Sequence, residues 1–509
     1  MDRTEVDLPI TLRADGASLP VQIADAVREL VTGGVLQPGD RLPASRPLAT
    51  RLGVSRGTVV AGWDQLIAEG YLTPLAGSGT VVNPDLSLVH PASRAQRSAP
   101  PAATPGGPPP AGDGTSDRSG DPDIVDMRPG RPDVRAVAGS AWRQAWRSAA
   151  ADPSADGVDP AGLPALRAQL AAHLRQMRGV LVSPDELLVT AGARDGLATV
   201  LQVLSARRGR PLTVAVEDPG YPSLHQVPRR LGATVVEIGV DGAGLMVPQL
   251  DAAAARPDLV MVTPSHQYPL GASMTVTRRL ELLDWAARND AVVVEDDYDS
   301  ELRYVGAPLP ALAALDRRDS PGGERVVTLG SFSKTVTPAL GAGFLLLPNP
   351  LRATVLAFRA DVGPTLSGLV QRALAEYLAG GGLRRHTERM RRDYRRRRRI
   401  VAEVLDQIDG VTVRGMDGGL HAVIEWSGAD SSQRETTVQQ HLSAAGIMTG
   451  SLSDYWARST PDAHFGLVIG YAGIDDTSLR AALQVVRGVL SVSGHGADRT
   501  GQQAAGQSG

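Results

Sequence analysis

The 509-residue chain contains no cysteine and a single lysine, Lys334. Without thiols there can be no disulfides, no thiolate catalysis and no cysteine-ligated metal, and a reducing compartment suits the composition; no metal site is expected. Long apolar runs are missing too. No stretch approaches the roughly 18 residues of a membrane span, and "MDRTEVDLPI" has acids where a signal peptide needs a basic and then an apolar segment; a cytoplasmic, non-membrane protein is expected. The net charge of -3, with 21% charged residues, carries no global bias toward nucleic acid. Any contact with DNA must therefore come from a local surface.

The near absence of lysine is the most pointed of these deficits, because arginine fills every other basic position of the 52. A guanidinium is effectively never deprotonated, whereas a lysine amine can lose its proton and attack a carbonyl. Lys334, in "SFSKT", reads as a lysine kept for its chemistry.

What is present divides into four parts. Residues 1–83 read as a small domain and 84–123 as a Pro/Gly/Ala-rich linker with almost nothing to bury ("PASRAQRSAPPAATPGGPPPAGDGTSDRSGDPD"). Residues 124–491 read as a large domain, and 492–509 as a second low-complexity segment. Both low-complexity segments are expected to be disordered.

In the small domain, Ile23, Val27, Leu30 and Val31 recur at helical spacing before Gly33 and Gly34. In "SRPLATRLGVSRGTVVAGWDQLIAEGYL", Leu48, Ala49 and Leu52 form a short apolar face and Gly53 turns the chain. Ser55 then caps a second helix buried through Val59, Val60, Trp63, Leu66 and Ile67. "YLTPLAGSGTVV" reads as a hairpin with a glycine-rich tip. Two helices around a tight turn, followed by a hairpin, make a winged helix-turn-helix. It places Ser55, Arg56 and Thr58 toward a major groove, and Arg46 with the Gly77, Ser78 and Gly79 tip near phosphates. Over about sixty positions this segment resembles the head of the GntR family of transcriptional regulators, which implies a double-stranded DNA operator as partner and DNA-contact roles for these residues.

In the large domain, "LLVT", "TVAVED", "TVVEIG", "LVMVTP", "AVVVED", "VVTLGS" and "GFLLLP" alternate with helical stretches. Runs apolar on both faces predict a mainly parallel sheet covered on both sides, an α/β fold. Ligands in such folds sit beyond the carboxyl ends of the strands. Those ends carry "TAGARDG", "EDPGYP", "TPSHQYPLG", "EDDYDSE" and "SFSKT", and together they predict one composite site. A lysine that condenses with an aldehyde cofactor needs an acid at the pyridine nitrogen, a phenol, a stacking ring and phosphate donors. Asp296, Tyr298, Tyr221, and Ser331 with Ser333 and the helix start at Gly192, Ala193 and Arg194 supply those types.

The ordered set resembles the fold-type I pyridoxal-phosphate enzymes of the aspartate aminotransferase class over some 360 residues. That resemblance implies pyridoxal 5'-phosphate as cofactor. Lys334 takes the Schiff-base position, Asp296 the pyridine partner, Tyr298 the phenol and Tyr221 the stacking ring. Tyr268 stands where many relatives have asparagine. A GntR head followed by such a domain resembles the MocR/GabR-type regulators, whose motifs are close to "TPSHQYPLG", "EDDYDSELRY" and "SFSKTVTPAL". This implies a homodimer that controls genes in response to the cofactor or an amino compound. "ERMRRDYRRRRRI" also resembles a motif of the group and is read here as a solvated helix face.

Three departures weigh on function. Gly341 stands where relatives have an arginine on the cofactor phosphate. Val468 stands where aminotransferases bind the substrate carboxylate, and Gly157 with Val158 replaces a tyrosine that reaches the partner subunit. The expected function is a pyridoxal-phosphate-binding regulator without efficient transaminase activity, with vitamin B6 or amino-compound metabolism as the expected target. The alternatives are a working aminotransferase with an appended head, which Val468 opposes, and a cofactor-free scaffold, which Lys334, Asp296 and Tyr298 oppose.

Overall fold

The structure, a computed structural model, describes residues 10, 12, 19–32, 36, 38–68, 71–75, 79–84, 124–137, 139–151, 157–304, 310–319, 324–414, 416–428, 430–457 and 464–494. The expected linker beyond Pro84 and most of the expected tail lie outside the described residues, as do Gly77 and Ser78.

The head contains α1 (Leu19–Thr32), α2 (Ser45–Leu52), α3 (Arg56–Ala68) and the antiparallel hairpin β1 (Leu72–Leu75) and β2 (Gly79–Val82). Its turn forms for local reasons. Gly53 takes the left-handed conformation at φ 65° that closes α2, and the Ser55 hydroxyl accepts from the Thr58 amide at 3.1 Å to cap α3. Ile23, Val27, Leu48, Val59, Trp63 and Leu66 fill the core. Val60 and Ile67, expected inside, are half-buried instead, because the face at 59, 63 and 66 follows the helical period and leaves them on its flanks.

The large domain opens with β3 (Val125–Asp126), α4 (Ser140–Ala151), α5 (Pro164–Arg178), β4 (Leu187–Thr190), α6 (Ala193–Arg208), β5 (Thr213–Asp218), α7 (Pro222–Arg230), β6 (Thr234–Asp241) and β7 (Gly244–Leu245). It continues through α8 (Pro248–Asp251), β8 (Leu259–Val262), α9 (Val276–Asn289), β9 (Val292–Asp297), α10 (Leu312–Asp319), β10 (Val326–Ser331) and β11 (Gly343–Leu346). Eight strands form one sheet in the order β4-β11-β10-β9-β8-β5-β6-β7. All seven apolar runs are strands of it. Neighbours from β10 to β6 are parallel, while β11 runs antiparallel to both β10 and β4. Alternation along β9 explains the two-sided cover: Val293 enters the core shared with Leu282 and Trp285 of α9, and Val292 and Val294 enter the core shared with Leu197 and Val200 of α6.

The chain then forms α11 (Asn349–Val362), α12 (Gly368–Ala379), α13 (Gly382–Val404), β12 (Thr412–Arg414), β13 (His421–Trp426), α14 (Ser431–Ala444), β14 (Ile447–Met448), β15 (Gly450–Ser451), β16 (Phe465–Gly470) and α15 (Asp476–Gly494). A second, antiparallel sheet, β12-β13-β16-β15, packs on α13, α14 and α15. The arginine run lies on α13 and is not wholly a solvated face. Arg397 is 5% exposed and pairs with Asp133 at 3.0 Å and Asp476 at 3.2 Å, carboxylates remote in sequence that neutralise it in the interior.

Candidate cofactor site and nucleic-acid interface

In the head, Ser55 and Arg56 are exposed at the start of α3 with Thr58 half-buried beside them, and Arg46 is exposed in the first turn of α2. The Arg56 Nε donates to the Ser45 hydroxyl at 3.3 Å, so the two helices present their polar starts together. Gly79, at φ 108°, begins β2, and the Arg41 guanidinium lies 3.8 Å from where a Cβ there would sit. Arg41 was not singled out in the sequence; the backbone bond from the Leu42 amide to the Thr80 carbonyl, 2.9 Å, brings it to the wing.

In the large domain, the five strands whose ends carry motifs all finish at one edge of the sheet, because β11 alone among their neighbours is reversed. Lys334 follows β10, and its Nζ donates to the Gly130 carbonyl at 2.7 Å. Asp296 ends the buried part of β9 at 6% exposure. Burial, then the charges of Asp297 and Asp299, push its carboxyl up to about 7, with Lys334 acting in the other direction. Among the described residues nothing donates a hydrogen bond to the Asp296 carboxyl. A buried carboxyl near an amine and lacking a donor is what a protonated ring nitrogen would complete, so the donor set fits pyridoxal phosphate.

Three tyrosines of the strand-end motifs cluster together. Tyr268 meets Tyr221 edge-on with centroids 5.3 Å apart and Tyr298 at 5.9 Å. Loops fix them: the Gln267 amide donates to the Pro219 carbonyl at 2.7 Å, and the Gly220 amide to the Tyr455 carbonyl at 3.1 Å. Ser331 and Ser333 share a hydroxyl bond of 2.9 Å. Ser331 pairs with Gly343, where a Cβ would stand 2.9 Å from the Gly192 Cα, so only glycine lets β11 abut the start of α6. The serine pair and the first amides of α6, at Ala193 and Arg194, therefore converge. Those amides have no intrahelical acceptor.

The Arg194 side chain is exposed and makes no hydrogen bond or ion pair among the described residues. The charge built into this turn is Asp195, which accepts from the Ala191 amide at 2.9 Å and from the Thr365 hydroxyl at 2.6 Å. Arg359, 1% exposed, pairs with Asp195 at 3.3 Å. Gly341 is exposed at φ 54°, with open space where a side chain would begin. Val468 is fully buried with Val423 and Leu452, against Leu270 and Tyr455. The position expected to carry a guanidinium is thus the floor of an apolar patch.

Several site residues were missed in the sequence. Gly130 lies 204 positions from Lys334, and no spacing rule links them. His266 and Asp299 sit inside motifs already singled out, and their signal was a histidine and a second acid flanking the expected phenol. His421 packs against Tyr268 with centroids 4.8 Å apart, and its Nε2 stands 2.8 Å from the Pro269 carbonyl; burial and then His266 push it down to about 4. A neutral His421 therefore donates to that carbonyl from Nε2.

A winged helix joined to an aminotransferase-fold domain defines a two-domain DNA-binding regulator. Residues 19–82 match the bacterial regulatory proteins of the gntR family, and residues 131–456 match aminotransferase class I and II. The pyridoxine biosynthesis transcriptional regulator PdxR of Corynebacterium glutamicum is 42% identical over 489 residues, covering 96% of this chain and 99% of the relative. The probable rhizopine catabolism regulatory protein MocR of Rhizobium meliloti is 32% identical over 474 residues, covering 92% of each. In structure, the α-aminoadipate aminotransferase LysN of Thermus thermophilus, solved with N-(5'-phosphopyridoxyl)-L-leucine, aligns with a TM-score of 0.63 at 23% identity, over 73% of this chain and 93% of that one. The chain belongs to the family of GntR-type transcriptional regulators that carry an aminotransferase-like domain, the MocR and PdxR type. No helix among the described residues is long and apolar enough to cross a membrane.

Proposed function

We propose that this protein is a homodimeric sensor of pyridoxal 5'-phosphate, which it binds through Lys334 and whose occupancy it converts into altered operator binding by its head. One observation carries the reading: the buried Asp296 carboxyl, without a hydrogen-bond donor among the described residues, lies within electrostatic reach of the one lysine of the chain. When bound, the cofactor supplies an aldehyde for the Lys334 amine and a ring nitrogen for Asp296. Tyr221 covers the ring, Tyr298 gives a phenol, and Ser331, Ser333 and the amides at the start of α6 take the phosphate.

Val468 argues against turnover of amino acids. A carboxylate set against Val423, Leu452 and Val468 would lose water without gaining a bidentate partner. Pyridoxal phosphate is therefore the favoured effector over an amino acid, and efficient transamination is not part of the function. The name of the Corynebacterium relative is the reason to look for operators beside genes of vitamin B6 supply.

The test is a titration of the purified full chain with pyridoxal phosphate, followed by visible absorption and by gel shift on the DNA upstream of its own gene. A visible band that is absent in Lys334→Ala, with operator affinity that changes on cofactor addition in the wild type only, is the expected result. A wild type that stays colourless overturns the reading.

A further inference from the structure

We infer that His266 and Asp299 are positioning residues that hold the Tyr298 phenol as a hydrogen-bond donor toward the cofactor. The inference rests on the proposed cofactor reading and adds to it a device assembled from two of the strand-end motifs. The Tyr298 hydroxyl donates to the His266 carbonyl at 2.9 Å, and its oxygen stands 3.1 Å from the His266 Nδ1. The same Nδ1 stands 2.8 Å from the Asp299 Oδ2. The two side chains are 5% and 2% exposed, so this geometry is made in the interior, away from competing water.

Elementary donor and acceptor rules fix the protons. A carboxylate only accepts, so the short contact with Asp299 requires the proton on Nδ1 of His266. That N–H also faces the Tyr298 oxygen, which must meet it as an acceptor. The phenol proton therefore points elsewhere, here to the His266 carbonyl, and an oxygen of a ligand at Tyr298 would compete with that carbonyl for it. Removal from water, and then the charge of Asp299, push the Tyr298 phenol well above its ordinary range, so it stays protonated and able to donate.

The pair is clamped from the small sheet. Gly419, just before β13, has φ 72°, and a Cβ there would lie 2.7 Å from both the Asp299 Oδ2 and the His266 Cε1. Tyr304 and Tyr471 both donate to the Gly419 carbonyl, which fixes that turn against the pair. A polar pair needed only for stability would have no reason to aim one shared N–H at the phenol.

A donor at the ring oxygen of a bound cofactor would favour the state in which that oxygen carries most charge. Losing the donor should raise the pH at which the visible band titrates. The other groups facing Tyr298 are Asp296, Tyr268 and, behind them, His421 and Lys334, and they stay constant across the variants below.

The experiment is a pH titration of the visible band of cofactor-loaded full-length protein. His266→Gln should raise the midpoint by about one pH unit, the size of one hydrogen bond, in the same direction as Tyr298→Phe, and should add nothing in a Tyr298→Phe background. Asp299→Asn also removes a negative charge that reaches the site, so its upward contribution is read as the difference between its shifts in the wild-type and Tyr298→Phe backgrounds. A midpoint unmoved in His266→Gln, or an Asp299→Asn shift that is the same with and without the phenol, overturns the assignment. If His266→Gln fails to fold, as judged by cofactor-free melting, Asp299→Asn and its double variant with Tyr298→Phe decide alone. A wild type that develops no band overturns the cofactor reading and this inference with it, whereas a normal wild-type band with unshifted variants overturns only the role of the pair.

Discussion

The Nζ of Lys334 donates to the carbonyl of Gly130 at 2.7 Å, tying the chain just after β10 to the turn that follows β3. Gly130 is at φ 82°, a conformation that costs other residues about 1 to 2 kcal/mol, and a Cβ added there would sit 2.6 Å from Nζ. Gly130→Ala should thus displace the amine. The expected outcome is a loss of at least about tenfold in cofactor affinity by absorbance titration, with a smaller loss of melting temperature than a core truncation would give. Unchanged affinity would mean that the lysine approaches its ligand from another side.

The buried carboxyl of Asp296 gives a pH dependence with a definite sign. Its pKa in the folded protein, about 7, lies above the ordinary 3.8. Between those values the folded chain holds a proton that the unfolded chain has released, so this group's contribution to stability falls as pH rises through the window and is fully lost above about 7. Asp296→Asn carries no charge at any pH. Without cofactor it should melt higher than wild type at about pH 8, by an amount bounded at roughly 4 kcal/mol, and equal it near about pH 4. The same variant should bind the cofactor far less tightly. Melting curves at about pH 4, 6 and 8 check both the sign and the window.

How much of this was legible beforehand follows from which interactions are local. The sheet was readable because "AVVVED" and "VVTLGS" are apolar on both faces, which only a doubly covered strand tolerates. The reversed direction of β11 was not, since an apolar run such as "GFLLLP" reads alike in either direction. Ser55 and Gly53 were readable because a cap and a left-handed turn are set within a few neighbouring residues. That Lys334, Asp296 and Tyr298 gather at one end of the sheet was readable because strand ends collect polar motifs. Gly130, Tyr455 and the clamp at Gly419 were not, since each acts through a carbonyl, a ring or a turn brought in from remote sequence. Arg397 failed for a related reason: a run of arginines carries no mark of the one that meets Asp133 and Asp476 inside.

For the head, Arg56→Ala should lower affinity for the specific operator by about 1 to 3 kcal/mol if the side chain reads a base edge, and leave binding to random duplex nearly unchanged. Ser55→Ala should act differently. It removes the cap bond to Thr58 and should lower the head's stability by about 1 kcal/mol, with DNA binding weakened only as the start of α3 frays. Fluorescence anisotropy on specific and scrambled duplexes at matched salt separates the two. Equal loss on both duplexes in Arg56→Ala would reassign it to the phosphate backbone.

At the phosphate end of the site, Gly341 has no cation to offer, and the charge at the start of α6 is Asp195, held by Arg359. We expect Arg194, the second residue of α6, to swing its free guanidinium onto the phosphate beside Ser331 and Ser333. Arg194→Gln should then weaken the cofactor by about 1.5 to 3 kcal/mol, the size of a charge-assisted bond. Adding Gly341→Arg should restore only part of that loss. Open space awaits the new side chain, but φ 54° costs a non-glycine residue about 1 to 2 kcal/mol, which offsets much of the gain. Asp195→Asn should move affinity the other way, because it removes the negative charge at the start of α6, where the phosphate is expected. Titration of wild type and these three variants checks the account: no loss in Arg194→Gln would mean that hydroxyls and amides suffice, and a full rescue by Gly341→Arg would mean that the left-handed turn relaxes around the new side chain.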